Sequence, residues 1–155
     1  MRILLRVVPI LALAACAAPA EAPPEVVDWA PQLVAANEAL LNQGDFDRIP
    51  DFFSESYVSH STEGDAGGHP AIRGWLTALR TAFPDLAVEV EVLATEGDRV
   101  AWLRTNRGTH QADFMGVEAT GRQLIWQDMV VTRYEAGTIV EEWGVSELGA
   151  VLRAR

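Results

Sequence analysis

The spacing of apolar residues changes once along the chain, at Pro84, and this change constrains the fold more than any other feature. Before Pro84, apolar residues recur every three or four positions, as on one side of a helix; they are Ile72, Trp75, Leu76, Leu79 and Phe83. After it, Val88, Val90 and Val92 alternate with glutamates, as in a strand with two unlike faces. Helices followed by strands indicate an α+β layer fold.

The first half of the chain predicts three helices. Asp28 is placed to cap a helix that begins at Trp29 and ends at Gly44. A shorter helix follows from Asp45, and a third runs from Pro70 to Phe83. Between the second and third helices, Ser56–Ser59 is predicted to be extended, and the polar, glycine-rich Thr62–Gly68 is predicted to be a loop.

The second half predicts an antiparallel sheet. Strands are expected around Val88–Val92 and over three longer segments, Arg99–Thr109, Gln123–Tyr134 and Thr138–Leu148. Short glycine-bearing turns such as Glu96-Gly97-Asp98 join two of the neighbouring pairs. We therefore expect an α+β fold in which helices pack on a curled, mostly antiparallel sheet.

The start of the chain has the layout of a secretory signal. Arg2 and Arg6 form a positive region, Val7–Leu13 an apolar one, and Leu13-Ala14-Ala15-Cys16 resembles a bacterial lipobox. The uncharged stretch is 14 residues, shorter than the roughly 20 of a membrane span. An ordinary cleaved signal, with Cys16 unmodified, is the alternative.

This interpretation divides the chain into a lipoprotein signal peptide (1–15), an Ala/Pro-rich tether (16–28) and one domain (29–155). It predicts an exported protein held on a bacterial membrane by lipid on Cys16. In a Gram-negative source, Ala17 resembles the signal for the outer membrane, facing the periplasm. The net charge of −10 excludes nucleic acid as a partner, because nucleic-acid binding neutralises phosphates with Lys and Arg.

The domain resembles the SnoaL-like polyketide cyclase and ester cyclase family of the nuclear transport factor 2-like superfamily. Six stretches carry the resemblance in the right order: Tyr57–His60, Ala82–Leu86, Glu96–Val100, Gly108–Gly116, Thr120–Arg122 and Gly137–Trp143. The resemblance implies a cone with an internal pocket. It also implies catalysis without a cofactor, by an acidic residue just after Trp143, where this chain has Gly144.

Asp128 is the first candidate for acid–base chemistry. It interrupts an apolar strand, and alternation places Trp126, Asp128 and Val130 on one face. An apolar wall would raise the pKa of the Asp128 carboxyl toward neutrality, as suits a general acid or base. Alternatively, Asp128 pairs with a neighbouring arginine, Arg104 or Arg133.

Further residues are predicted to complete the site around Asp128. Glu142 shares a strand face with Gly144 and is expected to partner Asp128, with His110 assisting. The resemblance implies that His60 and His110 lie near the pocket mouth. The predicted catalytic residues are thus Asp128, Glu142 and His110, and the predicted ligand-binding residues are Tyr57, His60, Trp126, Val130 and Gly144.

A metal site is not expected. The three histidines are His60, His69 and His110, and none forms a His-x-His or His-x-x-x-His pair. Cys16, the only cysteine, is assigned to lipid. No cofactor is therefore predicted.

Three functions remain open. The first is a lipid-anchored domain that binds a small hydrophobic molecule in its cone. The second is an enzyme of the cyclase, isomerase or lyase type acting on a carbonyl substrate. The third is a homodimeric interaction module, for which an exposed apolar sheet face such as Val88-Val90-Val92 would count.

Overall fold

The computed structural model describes residues 27–62 and 64–154. The helical segments are α1 (Ala30–Asn37) with a π-helical turn after it (Glu38–Asn42), a 3-10 turn (Phe46–Arg48), α2 (Ile49–Phe52), α3 (Gly68–Ala82) and α4 (Leu148–Arg153). The strands are β1 (Phe53–Ser61), β2 (Gly64–Gly67), β3 (Ala87–Glu96), β4 (Arg99–Thr109), β5 (Gln123–Glu135) and β6 (Thr138–Ser146).

The six strands form one mixed, curved sheet in the order β2-β1-β6-β5-β4-β3. Every neighbouring pair is antiparallel except β1 and β6, which are parallel. The predicted α+β class, with helices on a mostly antiparallel cone, is confirmed. The parallel pair joins the first long strand to the last one.

Alternation along β5 gives the sheet an inner and an outer face. Leu124, Trp126, Asp128 and Val130 are buried, whereas Ile125 and its odd-numbered neighbours up to Met129 are exposed. The inner face packs against α1 and α3 in two clusters. One centres on Phe83 and Trp126, the other on Trp102 and Tyr134.

Helix α3 has the predicted apolar stripe, but only part of the stripe is buried in the core, and the rest lines a cavity. Leu76 and Leu79 are buried in the core together with Ala82. Ile72 and Trp75, one turn earlier, line the cavity described below together with Leu76, and Trp75 stays 46% exposed. The N-terminal half of α3 is therefore a wall rather than core.

Two local predictions are wrong. Part of the expected loop Thr62–Gly68 is β2, which pairs with β1. The last strand ends at Ser146, and α4 follows because Leu148 and Leu152 find a buried position against β5. Val88 is buried and Val90 and Val92 pack on the inner core, so they do not form an exposed face.

Four large exposed apolar residues of the sheet lie on β5 and β6 instead: Ile125, Met129, Trp143 and Val145. Leu93 on β3 is exposed as well. The predicted signal and the lipidation site at Cys16 lie outside the described residues.

Within residues 27–62 and 64–154, no helix has the length and hydropathy needed to cross a membrane.

Candidate functional site

A cavity of about 310 Å³ lies between the two helices α1 and α3 and the inner face of the sheet. Most of its wall is apolar, and the lining residues include Leu33, Leu40, Ile72, Trp75 and Leu76. The volume is at the lower end of the range of small-molecule sites. The sequence thus builds an apolar chamber where the helical stripe faces the sheet.

The sheet supplies most of the polar groups in this chamber. Tyr57 comes from β1, Arg104 from β4, Asp128 from β5 and Glu142 from β6. Each occupies a position of its strand that alternation turns inward. Asn37 adds an amide from the helical side, because it follows Leu33 by one turn on the buried face of α1.

Asp128 is held by two side chains of the neighbouring strand. Arg104 and Asp128 are directly opposite each other across β4 and β5. Arg104 donates from Nε at 2.9 Å and from Nη2 at 2.7 Å to Asp128 Oδ2. Asn106 Nδ2 donates to the same oxygen at 2.9 Å. The Asp128 carboxylate is thus paired with Arg104, which was one of the two arginines that the sequence offered as partners.

The two oxygens of Asp128 are used unequally. Oδ2 accepts all three hydrogen bonds, whereas Oδ1 is buried without a partner among the described residues. Buried acceptors are usually satisfied in proteins, so this unpaired oxygen, which has almost no accessible surface, is an exception.

Glu142 accepts from a second set of donors. The Tyr57 hydroxyl donates to Oε2 at 2.8 Å, and Thr132 Oγ1 donates to Oε1 at 2.8 Å. Trp102 Nε1 donates in turn to Thr132 Oγ1 at 2.9 Å. Both carboxyl oxygens of Glu142 are therefore occupied from within the protein.

Burial also affects the pKa of Glu142. Removal from water raises the pKa of Glu142, although the bonds from Tyr57 and Thr132 and the charge of Arg104 act in the opposite direction. Burial also raises the pKa of Tyr57, and the negative charge of Glu142 adds to that effect. Tyr57 is thus a lasting hydrogen-bond donor at this end of the cavity.

His60 lies where the cavity meets the outer face of the sheet. Its ring stacks on Trp143 at 5.2 Å, and Nδ1 is 3.0 Å from Asp65 Oδ1. Nε2 is 3.5 Å from Glu141 Oε1, close enough for an ion pair but without hydrogen-bond geometry. The hydrogen bond with Asp65 is the main reason that the pKa of His60 is raised.

Two predicted site residues are placed elsewhere. Trp126 is buried against Phe83, with ring centroids 4.9 Å apart, in the cluster beyond the cavity. His110, just after β4, is fully buried, and its ring stacks on Phe83 with centroids 5.4 Å apart. Both residues thus pack on Phe83 and are outside the cavity lining.

The other predicted residues meet at one place. Asp128, Glu142, Tyr57, His60, Val130 and Gly144 all line the cavity. At Gly144 the space is open: a Cβ would meet Val130 Cγ2 at 3.7 Å and Met129 O at 3.9 Å, both ordinary contacts.

Asn37 and Asn106 are site residues that the sequence reasoning missed. The sequence did indicate that Asn37 is unusual, because this polar residue lies within the apolar stripe of Leu33, Ala36 and Leu40. For Asn106, nothing in the sequence beyond its strand position pointed to a role in the site. Among the described residues, no group of three His, Cys, Asp or Glu side chains is arranged to hold a metal ion.

A family model described as SnoaL-like polyketide cyclase matches residues 32–155. No curated protein sequence matches the chain. The structure is similar to AclR, a candidate hydroxylase from Streptomyces galilaeus, with 32% identity and a TM-score of 0.64 over 75% of this chain and 86% of AclR.

Two further solved structures extend the comparison. IdmH, a candidate polyketide cyclase from Streptomyces antibioticus, is 29% identical with a TM-score of 0.66, over 79% of this chain and 94% of IdmH. TsrD from Streptomyces laurentii is 22% identical with a TM-score of 0.73, over 83% of this chain and 99% of TsrD. The likeness to TsrD concerns the fold alone.

Proposed function

The chain belongs to the SnoaL-like polyketide cyclase family, and from that premise we propose that its cavity binds a small hydrophobic molecule. The observation that carries the proposal is the composition of the wall: aliphatic and aromatic side chains surround the chamber, and a few polar groups converge on its sheet side. That combination is typical of small-molecule sites, in which apolar contact supplies affinity and polar groups fix orientation.

Native mass spectrometry of residues 16–155, the chain expected after removal of the predicted signal peptide, tests this proposal. We expect a co-purifying molecule that is lost when the cavity is filled by Ala71→Trp, since Ala71 lines the chamber. Ala150→Trp is the matched control, because Ala150 is exposed on α4 and outside the cavity lining. Loss of the molecule from both variants, or its absence from the parent under several growth conditions, would count against ligand binding.

Acid–base catalysis on a carbonyl compound is the second candidate, favoured by the two carboxyl residues, Asp128 and Glu142, that line the cavity. In this reaction Asp128 removes a proton from the carbon next to a carbonyl group. That carbon attacks a second carbonyl of the same molecule, and the proton returns to the new alkoxide oxygen. No oxidant or cofactor is needed, in keeping with cyclase chemistry of the kind that the name of IdmH indicates.

Asp128→Asn decides between the two candidates. The amide keeps the shape and an acceptor oxygen but no longer takes up a proton, so turnover of a carbonyl substrate should fall by about 10²- to 10⁴-fold. Binding of the same compound should persist. Unchanged turnover would remove Asp128 as the base.

The cellular location of the domain is a further part of the proposal. We infer lipidation at Cys16 from the Leu-Ala-Ala-Cys pattern and expect membrane association of the full chain. Membrane fractionation of the parent and of Cys16→Ser tests it. Equal partition of the two proteins would favour an ordinary secreted domain.

Self-association is supported by the outer sheet face. Four large apolar side chains, Ile125, Met129, Trp143 and Val145, are each more than one-third exposed there. Analytical ultracentrifugation should show a dimer that Met129→Glu dissociates. A monomeric parent would rule this assembly out.

A further inference from the structure

We propose that the cavity takes an amphiphile, meaning an elongated apolar molecule with one polar end, and holds it with the apolar end inside and the polar end at the mouth. The inference rests on the proposed binding function and adds the class and the orientation of the ligand. It follows from the way in which the exposure of the lining residues changes along the cavity.

Two parallel strands run from the closed part of the cavity to its mouth. On β6 the lining residue Ile139 is 1% exposed, whereas Val145, six positions later, is 59% exposed. On β1 the lining residue Tyr57 is buried and Ser61 is exposed. Because β1 and β6 are parallel, both become exposed in the same direction. The cavity therefore has its mouth beside the C-terminal ends of these two strands.

The exposed lining residues form the rim of the cavity; they are Ser61, Ala66, Trp75, Val145 and Ser146. Trp75 supplies the largest apolar surface of the rim, and contact with Phe114, at 5.4 Å between ring centroids, holds its indole in place. The two serines lie beside it at positions that water reaches. A ligand at the rim can therefore keep a polar end hydrated while its apolar part covers the indole.

The buried lining residues form the inner wall, which offers a polar group no partner. Its apolar members include Leu33, Leu76, Val130 and Ile139, and Val130 keeps 8% of its surface accessible. Its polar members are hydrogen-bonded within the protein; they are Asn37, Tyr57 and Asp128. The two side-chain oxygens that remain unpaired there have almost no accessible surface. A polar group that entered this part would lose its water without gaining a hydrogen bond, which is unfavourable.

The charged groups of the lining do not call for a charged ligand. Arg104 is paired with Asp128 through two hydrogen bonds. His60 lies between a carboxylate of β2 and one of β6, at nitrogen-to-oxygen distances of 3.0 and 3.5 Å. Both oxygens of Glu142 accept from hydroxyl groups. Since each cation of the lining already faces a carboxylate, uncharged amphiphiles are the appropriate probes.

Two isomeric alcohols test the orientation. 1-Octanol has its hydroxyl at one end and 4-octanol has it in the middle of the chain, so the pair differs only in the position of the polar group. Calorimetry on residues 16–155 should show that 1-octanol binds about fivefold or more tightly than 4-octanol. The reason is that the hydroxyl of 4-octanol would lie against the inner wall.

Isotope-filtered NMR locates the two ends of bound 1-octanol. Val130 and Tyr57 belong to the inner wall and Trp75 to the rim, so their protons report on opposite ends of the cavity. We expect NOE contacts from the terminal methyl group of 1-octanol to Val130 and Tyr57, and from its hydroxymethyl group to Trp75.

A matched pair of variants tests the rim. Trp75→Ala removes the indole and should weaken binding of 1-octanol about threefold or more, because apolar contact area is lost. Val34→Ala is the control, since Val34 is a similarly exposed apolar residue of a helix but is outside the cavity lining. It should leave the affinity unchanged.

The outcomes separate the two proposals. Equal binding of the two alcohols, NOE contacts from the hydroxymethyl group to the inner wall, or equal effects of the two variants overturn the orientation while leaving an apolar binding site. Failure of both alcohols to bind counts against the binding function itself.

Discussion

Glu141 and Glu142 are neighbours on β6, yet their carboxyl groups lie on opposite sides of the sheet and their pKa values are shifted in opposite directions. Arg133 Nε donates to Glu141 Oε2 at 2.6 Å on the outer face, and this bond is the main reason that the pKa of Glu141 is lowered. Burial on the inner face raises the pKa of Glu142.

Replacing each glutamate by glutamine should therefore change stability with opposite sign. The raised pKa of Glu142 means that folding favours its protonated form, so its contribution is present at acid pH and is lost as pH rises above the usual carboxyl range. Glu142→Gln should raise the melting temperature at about pH 7 and have little effect at about pH 3.5, because glutamine never charges.

Glu141→Gln is the matched comparison. Its lowered pKa means that the ion pair with Arg133 stabilises the fold above the usual carboxyl pKa and is lost as pH falls through the lowered value. This variant should melt at a lower temperature than the parent near neutral pH and converge with it in acid. Shifts of the same sign for both variants would contradict the assignment of the two faces.

A double-mutant cycle on Arg104 and Asp128 should show strong coupling. Asp128→Leu alone leaves the guanidinium of Arg104 without its carboxylate partner in a setting only 20% exposed, and is expected to cost roughly 3–5 kcal/mol in unfolding free energy. Adding Arg104→Met should recover most of that loss, since an apolar pair of similar volume needs no partner. Chemical denaturation of the four proteins measures the coupling, and additive effects would argue against the pair.

His60 should make stability depend on pH in the region where histidine titrates. Its raised pKa means that contacts of the protonated ring with Asp65 and Glu141 stabilise the fold fully below about pH 6.5 and disappear as pH rises through the folded-state pKa. His60→Gln should be less stable than the parent at about pH 5.5 and close to it at about pH 8.5. Asp65→Asn should weaken the same dependence, and thermal melts across this range would show it.

Gly144 and Gly108 should respond differently to a methyl group. The open space at Gly144 predicts that Gly144→Ala is neutral or stabilising by up to about 1 kcal/mol, because alanine loses less backbone entropy on folding. At Gly108 a Cβ would lie 3.0 Å from Phe83 Cβ, so Gly108→Ala should cost about 1–3 kcal/mol. Urea denaturation of both variants tests this, and equal effects would contradict the packing.

The sequence predicts which side chains share a sheet face but not where along that face they lie. Alternation correctly grouped Trp126, Asp128 and Val130, yet Phe83 fills the space near Trp126 while the space near Val130 stays open. The pairing of Arg104 with Asp128 depends on the register of β4 and β5, which periodicity leaves undetermined. The parallel pairing of β1 with β6 is equally invisible to local patterns, because it joins residues such as Tyr57 and Glu142 that are 85 positions apart.

The parallel pairing of β1 with β6 also determines when, during translation, β1 can acquire its native neighbour. β1 emerges from the ribosome early, but its long neighbour β6 is translated only after β5. Until then one edge of β1 has no native strand beside it, and Tyr57 has no carboxylate to bond. A nascent chain that is paused or truncated before β6 should therefore expose a strand edge to chaperones or to other chains.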